Sequence, residues 1–171
     1  MKVYRVKDDY VTYLRSKEDR VLKNKNERRP YVGVVLTIND LNYYVPLSSP
    51  KTKHRTMKNA KDFHKIANGR YGAINFNKII PVPIECIIDF KFEDEEDEEY
   101  RLLLQNQYKV IKDMVDVIEN KTKGIYRIFH TNDEDLTPAD LKVKRRCCNF
   151  DLLEEMCKEY DKSLKLKEEG K

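Results

Sequence analysis

At 171 residues and 20.4 kDa the chain is sized for one domain; 40% hydrophobic residues supply a core, and 37% charged residues give more surface charge than most globular chains carry. No apolar run approaches the roughly 18 residues of a membrane helix, and the Met1-Lys2-Val3-Tyr4 start lacks a leader's apolar stretch, so the expectation is a folded cytoplasmic protein without membrane contact. The net charge of +4 hides a split: residues 1–92 carry 19 Lys/Arg against 9 Asp/Glu, net +10, and residues 93–171 carry 15 against 21, net −6, which places a polyanion-binding surface in the first half.

Lys2–Val6 reads as a short opening strand, and Asp8 or Asp9 caps a helix whose apolar positions Tyr10, Tyr13, Leu14 and Val21 fall at near-helical spacing. The basic segment 23–29 ends that helix, with Pro30 as the break. Tyr31–Ile38 (YVGVVLTI) is apolar and β-branched throughout, the pattern of a central strand. Asn39-Asp40 supplies a tight turn, and Leu41–Leu47 returns as the partner strand. Ser48-Ser49-Pro50-Lys51 then stands where strand becomes loop, because Pro50 cannot continue the ladder.

Residues 51–65 read as a polar, basic loop or loose helix, with one turn at Phe63–Ile66 ended by Asn68-Gly69. Tyr71–Phe76 and Lys78–Val82 are two short strands separated near Asn77; Pro81 and Pro83 put the second at an edge. Ile84–Phe92 makes another strand, for five or six in all. Seven acids, Glu93 to Glu99, divide this sheet from the rest; they can begin a helix, or form a solvated face. Tyr100, Leu104, Tyr108, Ile111, Val115 and Ile118 recur at helical spacing and predict one long amphipathic helix, continued by Ile125–His130 after Lys123-Gly124. Asn149 caps a final helix with Phe150, Leu153, Met156, Cys157 and Tyr160 on one face, and residues 162–171 read as frayed and solvated.

This order predicts an α+β fold: a compact, strongly twisted antiparallel sheet, barrel-like at its core, in residues 1–92, flanked by helices in residues 93–166, as a single domain. Parallel pairing is disfavoured because the strands follow one another too closely for helical crossovers. Cys86, Cys147, Cys148 and Cys157 lack CxxC spacing, so packed, reduced thiols are expected and no metal site.

Two basic clusters flank the hairpin. Arg20, Lys23, Lys25, Arg28 and Arg29 surround Glu27, and Lys51, Lys53, Arg55, Lys58, Lys61 and Lys65 surround Asp62. The hydroxyls of Ser48, Ser49 and Tyr31, the Lys51 cation and the His54 imidazole fall between them. There is no glycine-rich phosphate loop, and the basic half holds no paired carboxylates. Such a set suits transesterification of RNA, in which the substrate's own 2′-OH attacks the adjacent phosphate. Lys51 serves to offset the charge of the phosphorane, Ser48 and Ser49 to bond its non-bridging oxygens, and Tyr31 or His54 to move protons. His64 reads as packed or surface, and His130 lies in the acidic half near a helix end.

The runs RPYVGVVLTINDLNYYVPLSSPK with Lys53-His54, DFHKIANGRYGAINFNKIIPVP and RRCCNFDLLEEMCKEY, in this order, resemble the ToxN/AbiQ family of endoribonuclease toxins from type III toxin–antitoxin and phage-defence systems. The resemblance spans Met1 to about Tyr160. It implies a twisted sheet like that of the MazF/Kid toxins with an SH3-like barrel core. It also implies cofactor-free, metal-independent cleavage of target mRNA to 2′,3′-cyclic phosphate and 5′-hydroxyl ends, and inhibition by a small, repeated pseudoknot antitoxin RNA in ring-like protein–RNA assemblies. Carried over by position, the family's strand-end hydroxyl and lysine element falls on Ser48, Ser49 and Lys51 and its hairpin tyrosine on Tyr31, with His54 in the following Lys-His. The RNA groove then comprises Arg28, Arg29, Lys53, Arg55, Lys58 and Lys65.

Two other readings compete. A non-catalytic module for structured RNA needs the same basic face and no chemistry. A metal-dependent nuclease needs a carboxylate cluster that the basic half lacks.

Overall fold

β-branched and aromatic residues form strands throughout the first half of the computed structural model, which describes residues 1–170. The strands are β1 (Lys2–Val6), β2 (Tyr31–Ile38), β3 (Leu41–Ser48), β4 (Phe63–Lys65), β5 (Ala73–Asn75), β6 (Ile80–Pro81) and β7 (Ile87–Asp89). They make one antiparallel sheet in the order β4-β5-β3-β2-β1-β7, with β6 paired to β3. Asn39 and Asp40 turn the β2–β3 hairpin with φ of 51° and 62°, the left-handed pair that matches the twist of the flanking strands. β3 is long enough to take β6 beside Tyr43 and Tyr44 and β5 beside Leu47 and Ser48, so Ser48 stands where the sheet passes from one partner to the next.

The sheet stays open. Its path ends at β4 and β7, each three residues long and unpaired with the other, so the closed barrel core of the sequence expectation is not formed. Helices cover the core instead. They are α1 (Asp8–Arg15), α2 (Thr52–Thr56), α3 (Glu98–Lys112), α4 (Val115–His130), α5 (Pro138–Arg146) and α6 (Phe150–Glu169). The side chain of Asn149 accepts the amide of Leu152 at 3.2 Å and starts α6, which buries Phe150, Leu153, Met156 and Cys157. Each large apolar side chain so buried contributes roughly 1.5–3 kcal/mol, against a domain's net stability of about 5–15. Buried Glu154 on α6 accepts the hydroxyls of Tyr43 and Tyr126, both at 2.7 Å, and so ties β3 and α4 to α6.

Several boundaries differ from expectation. α1 ends at Arg15, short of Val21. Its exit is set by Glu18, whose buried carboxylate accepts the Arg20 amide at 3.0 Å, the Arg20 guanidinium at 2.8 and 2.9 Å, and the Asn149 amide at 2.8 Å. Phe63–Lys65 is a strand, not a turn, because it pairs with Ala73–Asn75. Ile84–Cys86 is a 3₁₀ turn, which confines the last strand to Ile87–Asp89. The long helix breaks at Asp113-Met114, and Gly124 lies inside α4. α5 was not anticipated, although Thr137 accepts the Asp140 amide at 3.2 Å and Pro138 takes the first turn, a start signal present in the sequence. α6 remains helical to Glu169 instead of fraying; Lys162, Lys165 and Lys167 are exposed, and Lys171 lies outside the described residues. Among the described residues no helix is long and apolar enough to cross a membrane.

The acidic run does two things. Asp97 accepts the Tyr100 amide at 3.0 Å and caps α3, as the sequence allows. Glu95, only 6% exposed, turns inward to accept Arg5 at 2.5 Å and Arg28 at 3.1 Å, so the run is more than a solvated face.

Candidate active site

The strand end that carries Ser48 and Ser49 is held from both sides. On one side Ser48 pairs with Ala73, and the Asn75 side-chain amide donates to Ser48 Oγ at 2.8 Å. Gly72 passes so close, with φ +95°, that a Cβ there would sit 1.9 Å from the Ser48 carbonyl oxygen, so only glycine fits. On the other side the Leu47 amide donates to the Pro30 carbonyl at 2.9 Å, and Arg29 Nη1 donates to the Leu47 carbonyl at 2.9 Å.

Lys51, extended at φ −136° and ψ 150°, precedes α2, and its carbonyl accepts the His54 amide at 2.9 Å. α2 is thereby set directly beyond the serines. Gly69, at φ +88°, is the second glycine fixed by a close approach: a Cβ would lie 2.6 Å from the His54 carbonyl oxygen. The segment Gly69–Gly72 thus braces both halves of the Ser48–His54 stretch.

Arg29 also ties down the loop before β2. Its Nε donates to the Lys23 carbonyl at 2.7 Å. Buried Asn24 donates from Nδ2 to the Val6 carbonyl at 2.8 Å, and Glu27 accepts the Asp8 amide at 2.9 Å. Between these anchors Lys25, Asn26 and Glu27 are all left-handed, with φ of 59°, 54° and 63°. Each such non-glycine residue costs about 1–2 kcal/mol, so the anchors hold the loop against its own preference.

The structure distributes the expected site residues unequally. Ser48 and Ser49 are half-buried and Lys51 is exposed, on one short stretch of chain. Tyr31 opens β2 opposite Pro46, but its ring is buried and burial pushes its hydroxyl pKa well above the usual value, which argues against Tyr31 as a ready proton donor or acceptor. His54 is 3% exposed with its ring 5.7 Å from that of Phe63; burial, then Lys51 and Lys53, lower its pKa, and Nδ1 has no hydrogen-bond partner among the described residues.

Of the expected groove, Lys53, Arg55 and Lys58 are exposed and Lys65 half-buried, and none of them forms an ion pair among the described residues. Arg28 is partly engaged, pairing with Glu95 at 3.1 Å and Asp97 at 3.7 Å and lying over the Tyr100 ring at 5.2 Å. Arg29 departs from its expected role as a surface phosphate contact: it is 9% exposed and bonded to two carbonyl oxygens, so its position is that of a strut. Asp62, the one acid of the second cluster, is buried and accepts from Arg146 at 2.9 Å and Asn77 at 3.2 Å, which withdraws its charge from the basic surface. The sequence reading missed Asn75 and Gly72 as parts of this neighbourhood, and placed Lys25 in the first basic cluster without giving it a role at the site. YGAIN carried a partial signal, since a glycine directly before a strand marks a close approach.

The four cysteines are all buried and unbridged, and burial raises their thiol pKa values, Cys86 and Cys157 to about 11 and Cys147 and Cys148 to about 12. No group of three or more His, Cys, Asp or Glu among the described residues is arranged to hold a metal ion.

The model of the family described as toxin ToxN of type III toxin–antitoxin systems matches residues 2–158. The chain belongs to the ToxN family. It is 33% identical to the endoribonuclease ToxN of Bacillus thuringiensis subsp. kurstaki, over 99% of this chain and 89% of that protein. It is 30% identical to the endoribonuclease AbiQ of Lactococcus lactis subsp. lactis, over 95% of this chain and 90% of that protein. Among solved structures it is similar to a toxin of a bacterial type III system inhibited by a non-coding RNA pseudoknot, with TM-score 0.82, 30% identity and coverage of 94% of this chain and 97% of that one. It is also similar to AbiQ, a lactococcal anti-phage endoribonuclease, with TM-score 0.77, 28% identity and coverage of 94% and 98%. The ToxN family relation thus extends over nearly the whole chain, the Ser48–Lys51 strand end included.

Proposed function

We propose that this ToxN-family chain is a cytoplasmic endoribonuclease that cleaves single-stranded target mRNA at the Ser48–Lys51 strand end without a metal or other cofactor. The observation that carries this reading is the braced strand end itself, where two hydroxyls and Lys51 share one short stretch of chain beside the exposed cations Lys53, Arg55 and Lys58. The substrate's 2′-OH attacks the neighbouring phosphate; the 5′-oxygen leaves and takes up a proton, giving a 2′,3′-cyclic phosphate and a 5′-hydroxyl. Lys51 offsets the charge that grows on the phosphate oxygens, and Ser48 and Ser49 donate hydrogen bonds to them. His54, at the end of the Ser48–His54 stretch with its amide bonded to the Lys51 carbonyl, is the imidazole that moves protons there.

The pseudoknot-inhibited and anti-phage relatives support inhibition by a pseudoknot antitoxin RNA and a role in phage defence by abortive infection; in this reading the antitoxin RNA covers the Ser48–Lys51 site within a ring-like protein–RNA assembly. The test is cleavage of total RNA in EDTA by RNA-free protein and by its Lys51→Ala variant, with the product ends mapped chemically. Cyclic phosphate ends made by the parent and lost in the variant are expected. A folded parent protein that binds RNA and leaves it intact would instead establish the non-catalytic module.

A further inference from the structure

Lys25 opens a turn in which nearly every neighbour is tied down. Lys23 and Asn24 are held through Arg29 and Val6, Glu27 through the Asp8 amide, Arg28 through Glu95, and Arg29 through Leu47. The Arg28 amide closes the turn onto the Lys25 carbonyl at 3.3 Å, and the Arg29 amide onto that of Asn24 at 3.0 Å. The Lys25 side chain itself makes no hydrogen bond or ion pair among the described residues, although its backbone is held in a left-handed conformation.

The loop is bolted to the strand end through Arg29, which reaches Lys23 in the loop and Leu47 immediately before the serines. Burial, and then the positive charges of Arg29, Lys51 and Arg28, lower the Lys25 pKa, in keeping with a loop that Arg29 ties to the strand end. No carboxylate offsets this gathering of cations from within the loop, since Glu27 faces the Asp8 amide. A rigid, strained loop that brings an unpartnered cation up to other cations is arranged for an anion from outside.

We propose that Lys25 is a substrate-phosphate ligand of the Ser48–Lys51 site, gripping the phosphodiester backbone of the strand that Lys51 acts upon. The ligand class is single-stranded RNA, and in this the proposal rests on the cleavage reading above. The contact itself is made with a phosphate and needs no cleavage. Lys25 therefore belongs to binding: its loss raises KM more than it lowers kcat.

The test uses the full chain, freed of RNA, and a cleavage-inert single-stranded 2′-deoxyoligonucleotide of mixed sequence, titrated at several salt concentrations. Lys25→Gln is expected to make the log–log salt slope shallower by about 0.7, the increment of one phosphate on a single strand, and Lys25→Arg to restore it. Lys25→Asn, a residue suited to the left-handed backbone, is read in place of Lys25→Gln should that variant melt below the parent protein. A parental slope in the folded neutral variant overturns the proposal, whatever the cleavage assay shows. A shallower slope in a protein whose parent cuts no RNA upholds the Lys25 contact and removes the cleavage reading instead.

Discussion

Arg29 donates to the Leu47 carbonyl at 2.9 Å, so the residue before the serines hangs from the loop that leads into β2. Its other bond, to Lys23, makes one side chain the common support of the first basic cluster and the Ser48 strand end. Arg29→Ala leaves two carbonyl acceptors without this donor, and an unsatisfied buried group costs about 1–3 kcal/mol. A loss of roughly 2–4 kcal/mol in urea unfolding is expected, with cleavage falling further than the folded fraction accounts for. A variant of parental stability would show that the strut carries no load.

Gly72 offers a sharper test of geometry. An alanine there meets the Ser48 carbonyl at 1.9 Å with φ +95°, so either the serine strand end or the β5 approach has to move. Gly72→Ala is expected to destabilise by more than about 1 kcal/mol, and to slow cleavage by about 10²-fold through misplacement of the serines. Oligonucleotide affinity should change far less, since the exposed cations are elsewhere. Equal losses in both assays would mean that the fold, not the serine placement, had been damaged.

The groove assignment of Arg55 and Lys58 is tested by charge reversal at both positions. Each phosphate contact on a single strand contributes about −0.7 to the salt slope, so the double variant Arg55→Glu and Lys58→Glu should flatten it by about 1.4. An unchanged slope would move the groove off α2 and the loop after it.

Acid stability has a named source in Glu18. Burial works to raise its pKa, and the hydrogen bonds from Arg20 and the Asn149 amide outweigh it, leaving the carboxyl below its ordinary value. The unfolded chain therefore takes up the proton first as pH falls. The stabilisation is complete above roughly pH 4.3, the unfolded pKa, and is lost as pH falls through the lower folded value. Glu18→Gln should destabilise by about 1.5–3 kcal/mol at pH 7 and show a weaker pH dependence below pH 5. Unfolding curves across pH 3 to 7 check both, and parallel profiles for the two proteins would contradict the assignment.

Much of the sheet was legible because its signals are local. The YVGVVLTI run, the Asn39-Asp40 turn and the strand after it are each decided by neighbouring residues, and all three stand as read. The Ser48–Lys51 stretch was legible for the same reason, since Pro50 marks where the strand must stop. What failed to show was decided by distant partners. α1 stops early because Glu18 bonds to Asn149, and β4 is a strand only because β5 lies beside it. Arg29 and Lys53 look alike in sequence, as basic loop residues; only the placement of Lys23 and Leu47 around one of them turns it inward. The same holds for Glu95, one of seven acids in a row, and the one that meets Arg5 and Arg28.

α6 gives the order of synthesis a consequence. Ser48, Ser49, Lys51 and the basic surface of the first half are translated before the residues that support them, since Glu18, Tyr43 and Asn77 find their partners in Asn149, Glu154 and Cys148. A ribosome that has finished only Cys148 holds every proposed site residue and lacks the helix that completes the core behind the sheet. A product truncated or stalled before α6 is thereby left without a finished fold, so the folded protein forms only after α6 has been translated.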